Sequence, residues 1–157
     1  MNNNYINFYN NLVNLTRNKS LYMEFTKQDT FSDRLIIFLF HFAFFLNIFK
    51  ASSAKKKLQV LFDSVFKQLE LSLREYGFGD VTINKKMKTY VNIFYAILEK
   101  VDNWKDLSKK EKNLIFSEYL NLNNENVLLA SYFDKYIDYL KNNTLNSLLK
   151  GVIKLKF

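Results

Sequence analysis

Residues 35–49 read LIIFLFHFAFFLNIF: thirteen of the fifteen are apolar, and only His41 and Asn47 interrupt. A helix built on this run is greasy on every face, so it must be enclosed by protein or by lipid. At ~1.5 Å per residue it reaches about 22 Å, short of the ~30 Å hydrocarbon layer of a bilayer, and its histidine falls near the middle. A central core helix is therefore expected rather than a membrane span. His41 is expected to be a core histidine whose ring is satisfied by a carbonyl or water rather than a catalytic group. Thr30-Phe31-Ser32-Asp33 just upstream has the form of a capping box and marks where this helix begins.

On either side the apolar residues recur every three or four positions. Tyr5, Phe8, Tyr9, Leu12 and Leu15 predict a first helix ending near Asn18, followed by a short connection with Leu21, Tyr22 and Phe25. After a basic connector, Ala51 to Lys57, the series Leu58, Leu61, Val65, Leu69 and Leu73 predicts an amphipathic helix that stops at Gly77. Gly79 extends that turn, and Asp80 or Thr82 is expected to cap a helix carrying Ile83, Met87, Phe94 and Ile97. Ser108 and Glu111 form a second capping box, and Trp104 is expected to anchor the connection before it. Helices are further expected over Glu125 to Lys141 and from Thr144 towards Gly151, with Val152 to Phe157 extended. No hairpin signal or sustained alternation appears. The fold class expected is all-α: a single compact domain, residues 1–157, with about six helices around the hydrophobic one.

The 157 residues include no cysteine and one histidine, which removes disulfides, thiolate chemistry, two-histidine metal or haem ligation and a serine–histidine hydrolase. No cofactor is expected. A net charge of +8 suits a nucleic acid, an anionic membrane or an acidic partner. The abundance of Lys, Asn, Ile, Phe and Tyr points to an AT-rich genome rather than to adaptation to a ligand. Three arginines among so many lysines, Arg17, Arg34 and Arg74, mark places where a planar bidentate donor is wanted. Met1 to Asn11 lacks the pattern of a secretory or transit peptide, so a cytoplasmic, bacterial protein is expected.

Leu61-Phe62-Asp63, then Leu73-Arg74-Glu75-Tyr76-Gly77-Phe78-Gly79-Asp80, then Lys85-Lys86-Met87-Lys88 occur in order. This series resembles the signature of the ubiquinol–cytochrome c chaperone family. Asp29-Thr30 with Arg34 and His41 downstream, and Phe94-Tyr95 after the lysines, are similar to further family positions, so the resemblance runs from about Leu21 to Leu98. Ser32-Asp33 stands where the family often has Asp-Gly, and Ala96-Ile97 where it has Gly-Arg. Beyond Trp104 only helical character and a final glycine match.

The resemblance implies a non-enzymatic α-helical chaperone that binds newly made cytochrome b and promotes assembly of ubiquinol–cytochrome c reductase (complex III). A small assembly-factor partner and the ribosome accompany that role in mitochondria. The expected client-binding set is Asp63, Arg74, Glu75, Gly77, Gly79, Asp80, Lys85, Lys86 and Lys88, with Asp29, Thr30, Arg34 and His41 in structural or recognition roles. Arg74 is expected to present charge at a recognition corner, to bridge Asp80, Asp63 or Asp33 and fix the helix angle, or both. A place on the inner face of the bacterial inner membrane, with lysines towards anionic lipid, is the companion expectation. Two rivals are a basic ribosome- or RNA-binding module, for which no recognition-helix motif and no specific DNA signal exists, and a peripheral membrane-binding module inserting Leu35 to Phe49.

Overall fold

A computed structural model describes residues 3–26, 30–51, 54–123 and 128–155. Seven α-helices lie among them: α1 (Asn3–Thr16), α2 (Phe31–Phe49), α3 (Lys55–Glu75), α4 (Asp80–Lys100), α5 (Lys109–Tyr119), α6 (Leu128–Lys141) and α7 (Leu145–Lys150). Two 3₁₀ turns, Lys19–Tyr22 and Trp104–Asp106, link them, and no strand lies among the described residues beyond a single bridge between Phe25 and Leu122. The all-α expectation holds, with six helices accompanying the hydrophobic one.

α2 is the axis. Every residue from Leu35 to Phe45 is buried, as a helix without a polar face requires. α1, α4 and α6 pack on it directly, while α3 and α7 lie against α1 and α5 lies against α6. Rings make much of the contact. Phe8 of α1 meets Phe45 at 4.4 Å, Phe94 of α4 meets Phe42 at 5.2 Å, Phe116 of α5 meets Phe40 at 4.8 Å and Phe133 of α6 meets Phe44 at 4.9 Å. α2 is long and apolar enough to cross a membrane, yet the protein itself buries its middle stretch, Leu35 to Phe45. Trp104 is buried against Phe44 and Phe116, and its indole donates to Asp134 at 2.8 Å. The connection it sits in is thereby anchored.

Local signals set most boundaries. Thr30 accepts from the Asp33 amide at 3.2 Å at the start of α2, and Ser108 and Glu111 complete a reciprocal capping box on α5. α7 opens on a box between Thr144 and Ser147, and Gly151 after it has extended backbone, with Asn11 bonding both Gly151 and Ile153; of the extended tail expected from Val152, residues 156–157 lie outside the described residues. α3 starts earlier than the apolar periodicity indicates: Lys55, Lys56 and Lys57 form its first turn, and Leu58 N–H donates to Ala54 O at 2.9 Å. Three lysines are poor company for a helix N-terminus, but packing of Leu58 and Leu61 outweighs that surface term. Of the helix expected from Glu125, residues 125–127 lie outside the described residues.

His41 is held from two sides. Its Nδ1 lies 2.8 Å from the Ile37 carbonyl and its Nε2 2.6 Å from the Tyr132 hydroxyl, while Tyr136 donates to the His41 carbonyl at 2.9 Å. A carbonyl only accepts, so Nδ1 carries the hydrogen and Nε2 accepts a hydrogen bond from the Tyr132 hydroxyl. Complete burial depresses the imidazole pKa to about 3, and burial raises that of Tyr132 and Tyr136. The ring is a neutral core group, not a general base.

An unfolded imidazole takes a proton near 6.5 and the folded one only near 3, so stability is present at neutral pH and lost as the pH falls through that interval. This group should account for about 2 kcal/mol between pH 7 and pH 5. Urea titrations across that range should show a flatter profile in His41→Phe than in the parent; parallel profiles would exclude a neutral buried imidazole. Tyr132→Phe, which leaves Nε2 without a donor, should cost about 1–3 kcal/mol at pH 7.

Candidate functional site

The expected site residues fall in two places. The first is the corner between α3 and α4. Gly77 follows the helix end with φ +97°, a left-handed conformation that an L side chain adopts only with strain, and its amide donates to Arg74 O at 3.0 Å. Gly79 differs: it occupies the cap position of α4 with ordinary extended backbone, and no side chain caps this helix. Neither Asp80 nor Thr82 is therefore the cap; Asp80 is the first helical residue, where its charge suits the amide end.

Arg74 bridges this corner. One guanidinium nitrogen contacts Asp80 and the other Glu70, at 3.3 Å in the second case. Both acids raise its pKa, Asp80 more strongly. Asp33 and Asp63 are not its partners. Asp63 is exposed, accepts from Gln59 at 3.1 Å and lies eleven residues up α3, about 16 Å along the axis, so it does not belong to the corner. Glu75 is exposed at the end of α3. Lys85 and Lys88 are exposed in the second and third turns of α4, and Lys86 stands 4.8 Å over the Phe78 ring.

Periodicity hides what surrounds these charges. Tyr76 is 64% exposed, touches Phe31 at 5.1 Å and stacks on Phe78 at 6.3 Å, while Val81 is 71% exposed. Both occupy helix ends, where a turn can lift an apolar residue away from the core. Thr30 and His41 are structural, capping α2 and pinning it to α6; Arg34 lies half-buried in the first turn of α2. Asp29 lies outside the described residues.

The second place is an open groove of about 640 Å³ where the cover over α2 runs out. Leu46, Leu58, Phe62, Phe94, Tyr95 and Leu98 line it, with Lys55, Glu99 and a Lys50–Asp102 ion pair at the rim. Tyr95 is 54% exposed and stacks on Phe62 at 5.8 Å. Phe62 and Phe94-Tyr95, far apart in sequence, thus form one apolar surface. Among the described residues no group of three or more His, Cys, Asp and Glu is placed to hold a metal. Corner and groove together offer surfaces for recognition: exposed rings beside fixed charge, and a hydrophobic trough with a polar rim.

An all-helical protein with these surfaces and a buried, neutral histidine fits the class of polypeptide-binding chaperones. The chain belongs to the ubiquinol-cytochrome C chaperone family, whose model matches residues 23–114, more than half of its length. This is a chaperone family, and it is non-enzymatic. The match continues past Leu98 through Trp104 into α5, further than the motifs alone extend. It contains the corner and the groove; α1, α6 and α7 lie wholly outside it. No curated protein and no solved structure matches the chain at a significant level.

The two glycines should separate under substitution. Gly77→Ala forces a side chain into the left-handed region and should cost about 1–2 kcal/mol, whereas Gly79→Ala, with open space at its Cβ and φ −77°, should be close to neutral. Thermal unfolding of the two variants checks this, and equal effects would rule out a special role for the Gly77 conformation.

Proposed function

We propose that the protein is a non-catalytic assembly chaperone that receives newly made cytochrome b and keeps it competent for incorporation into ubiquinol–cytochrome c reductase, working at the inner face of the bacterial inner membrane. The observation that carries this reading is the family match over the segment that builds both surfaces. A membrane protein before insertion exposes apolar helices, and its chaperone must cover some of that surface without trapping it. The open groove beside Leu46 offers burial at ~25 cal/mol per Å² of apolar area, and its polar rim leaves the interface hydrated enough to release. No reacting group is needed for that work.

A photoreactive residue at Tyr95, which faces the groove without supporting the core, tests the assignment. It should capture newly made cytochrome b, and deletion of the gene should lower cytochrome b and complex III while other respiratory enzymes stay unchanged. Capture of ribosomal RNA alone, with affinity falling steeply as salt rises, would overturn the reading in favour of an RNA-binding module.

A further inference from the structure

The open trough at Tyr95 has a neighbour. Asn47, Lys50 and Asp102 line the trough, and the same three residues line a second recess of about 480 Å³, so the two hollows meet along a shared ridge. That ridge is the seam between the ends of α2 and α4: Asn47 donates to the Val101 carbonyl at 3.2 Å, and Lys50 pairs with Asp102. Both members of the ion pair are more than half exposed, and such pairs hold weakly. Beyond the ridge the chemistry changes. Asp134 takes the Trp104 indole hydrogen at 2.8 Å and the Lys112 ammonium at 3.1 Å, and that ammonium stands 5.1 Å over the Trp104 ring, so these groups satisfy one another. Lys105, Asp138 and Lys141 also line the recess; all three are exposed, and neither lysine has an acidic partner among the described residues. Two uncommitted lysines against one uncommitted aspartate leave a surplus of one positive charge. In the trough, Lys55 and Glu99 cancel.

We infer that trough and recess form one bipartite site for an apolar stretch of client polypeptide followed directly by an acidic residue: the apolar side chains lie against Phe62, Tyr95 and Leu98, and the carboxylate reaches Lys105 and Lys141 across the Lys50–Asp102 ridge. Charge complementarity carries the choice of occupant, since the surplus on the polar side equals one carboxylate and the neutral, aromatic trough suits uncharged side chains. Shape points the same way. A bilayer is flat on this scale and cannot follow two hollows parted by a ridge, whereas a single chain can. RNA, with a charge on every phosphate, has nothing to place in the trough and would meet Asp134 and Asp138 in the recess. The carboxylate adds what apolar burial lacks, because burial is non-directional and leaves the polarity of the bound stretch open. The inference rests on the reading of the trough as a client-binding surface and adds the kind of sequence that this surface selects.

The test is fluorescence anisotropy of the full-length protein with three C-terminally amidated peptides that share one stretch of leucine, alanine and phenylalanine and end in glutamate, glutamine or lysine. The glutamate peptide should bind about five-fold more tightly than the glutamine peptide, and the lysine peptide about five-fold more weakly. This order should flatten as salt rises, while the affinity common to all three persists. K105Q/K141Q should abolish the order and K105E/K141E should reverse it; both positions are exposed, and unchanged melting temperatures serve as the folding control. Tyr95→Ser should weaken all three peptides alike. Equal binding of the three peptides by the parent, or an order that survives K105E/K141E, would overturn the inference. So would self-association, or phosphatidylglycerol vesicles, filling the trough and excluding the peptides. A parent without the order that still crosslinks cytochrome b through Tyr95 overturns the acidic selectivity alone and leaves the chaperone reading standing; the order without capture of cytochrome b upholds the site and overturns the choice of client.

Discussion

A helix whose eleven consecutive buried residues are apolar but for one histidine has no side it can turn to water, and the rest of the protein is arranged to enclose it. One neighbour shields only part of a helix circumference, so Leu35 to Phe45 needs companions in several directions at once. α1, α4 and α6 supply them directly, α5 contributes Phe116, and α3 and α7 back up α1. Cover ends with Phe45: Leu46 to Phe49 are only half-buried, and the large trough opens there. The same requirement that builds the core therefore positions the apolar surface, because greasy residues continue one turn beyond the fully buried stretch.

The family motifs divide between two ends of the α3–α4 pair. Leu73 to Asp80 make the turn, whose direction is fixed by the left-handed Gly77 and by a guanidinium shared between Glu70 and Asp80. Phe62 and Phe94-Tyr95 contribute the trough.

Much of this could be read from residues alone, wherever a local rule governs. The enclosed second helix, the Thr30 and Ser108 caps and the helix stop at Gly77 all follow from short-range chemistry. The early start of α3 could not, because three lysines conceal a turn that tertiary packing imposes. In sequence Asp80, Asp63 and Asp33 are the candidate partners of Arg74; Glu70, one turn back on the same face, follows from helical spacing. Asp63 looked like part of the corner because it belongs to the same motif series, but rise along the helix carries it away. The partner of His41 lies 91 residues downstream in α6, a pairing that no periodicity encodes. That Tyr76 remains outside is equally hidden, since it continues the spacing of buried Leu69 and Leu73.

That long-range pair has a further meaning for the way α2 is seated. A rod of nearly interchangeable Phe, Leu and Ile could slide by a turn or rotate among its companions with little change in buried area, and such cores tend towards several packings. The imidazole is the single polar mark in the buried stretch, and only one register sets it against the Tyr132 hydroxyl. Any slip would strand a phenol and a ring nitrogen in hydrocarbon surroundings. Replacing both groups with phenylalanine removes that penalty for wrong registers, so the double variant should retain its helical content yet show broadened, poorly dispersed side-chain resonances; a sharp native-like spectrum would mean that shape alone seats the helix.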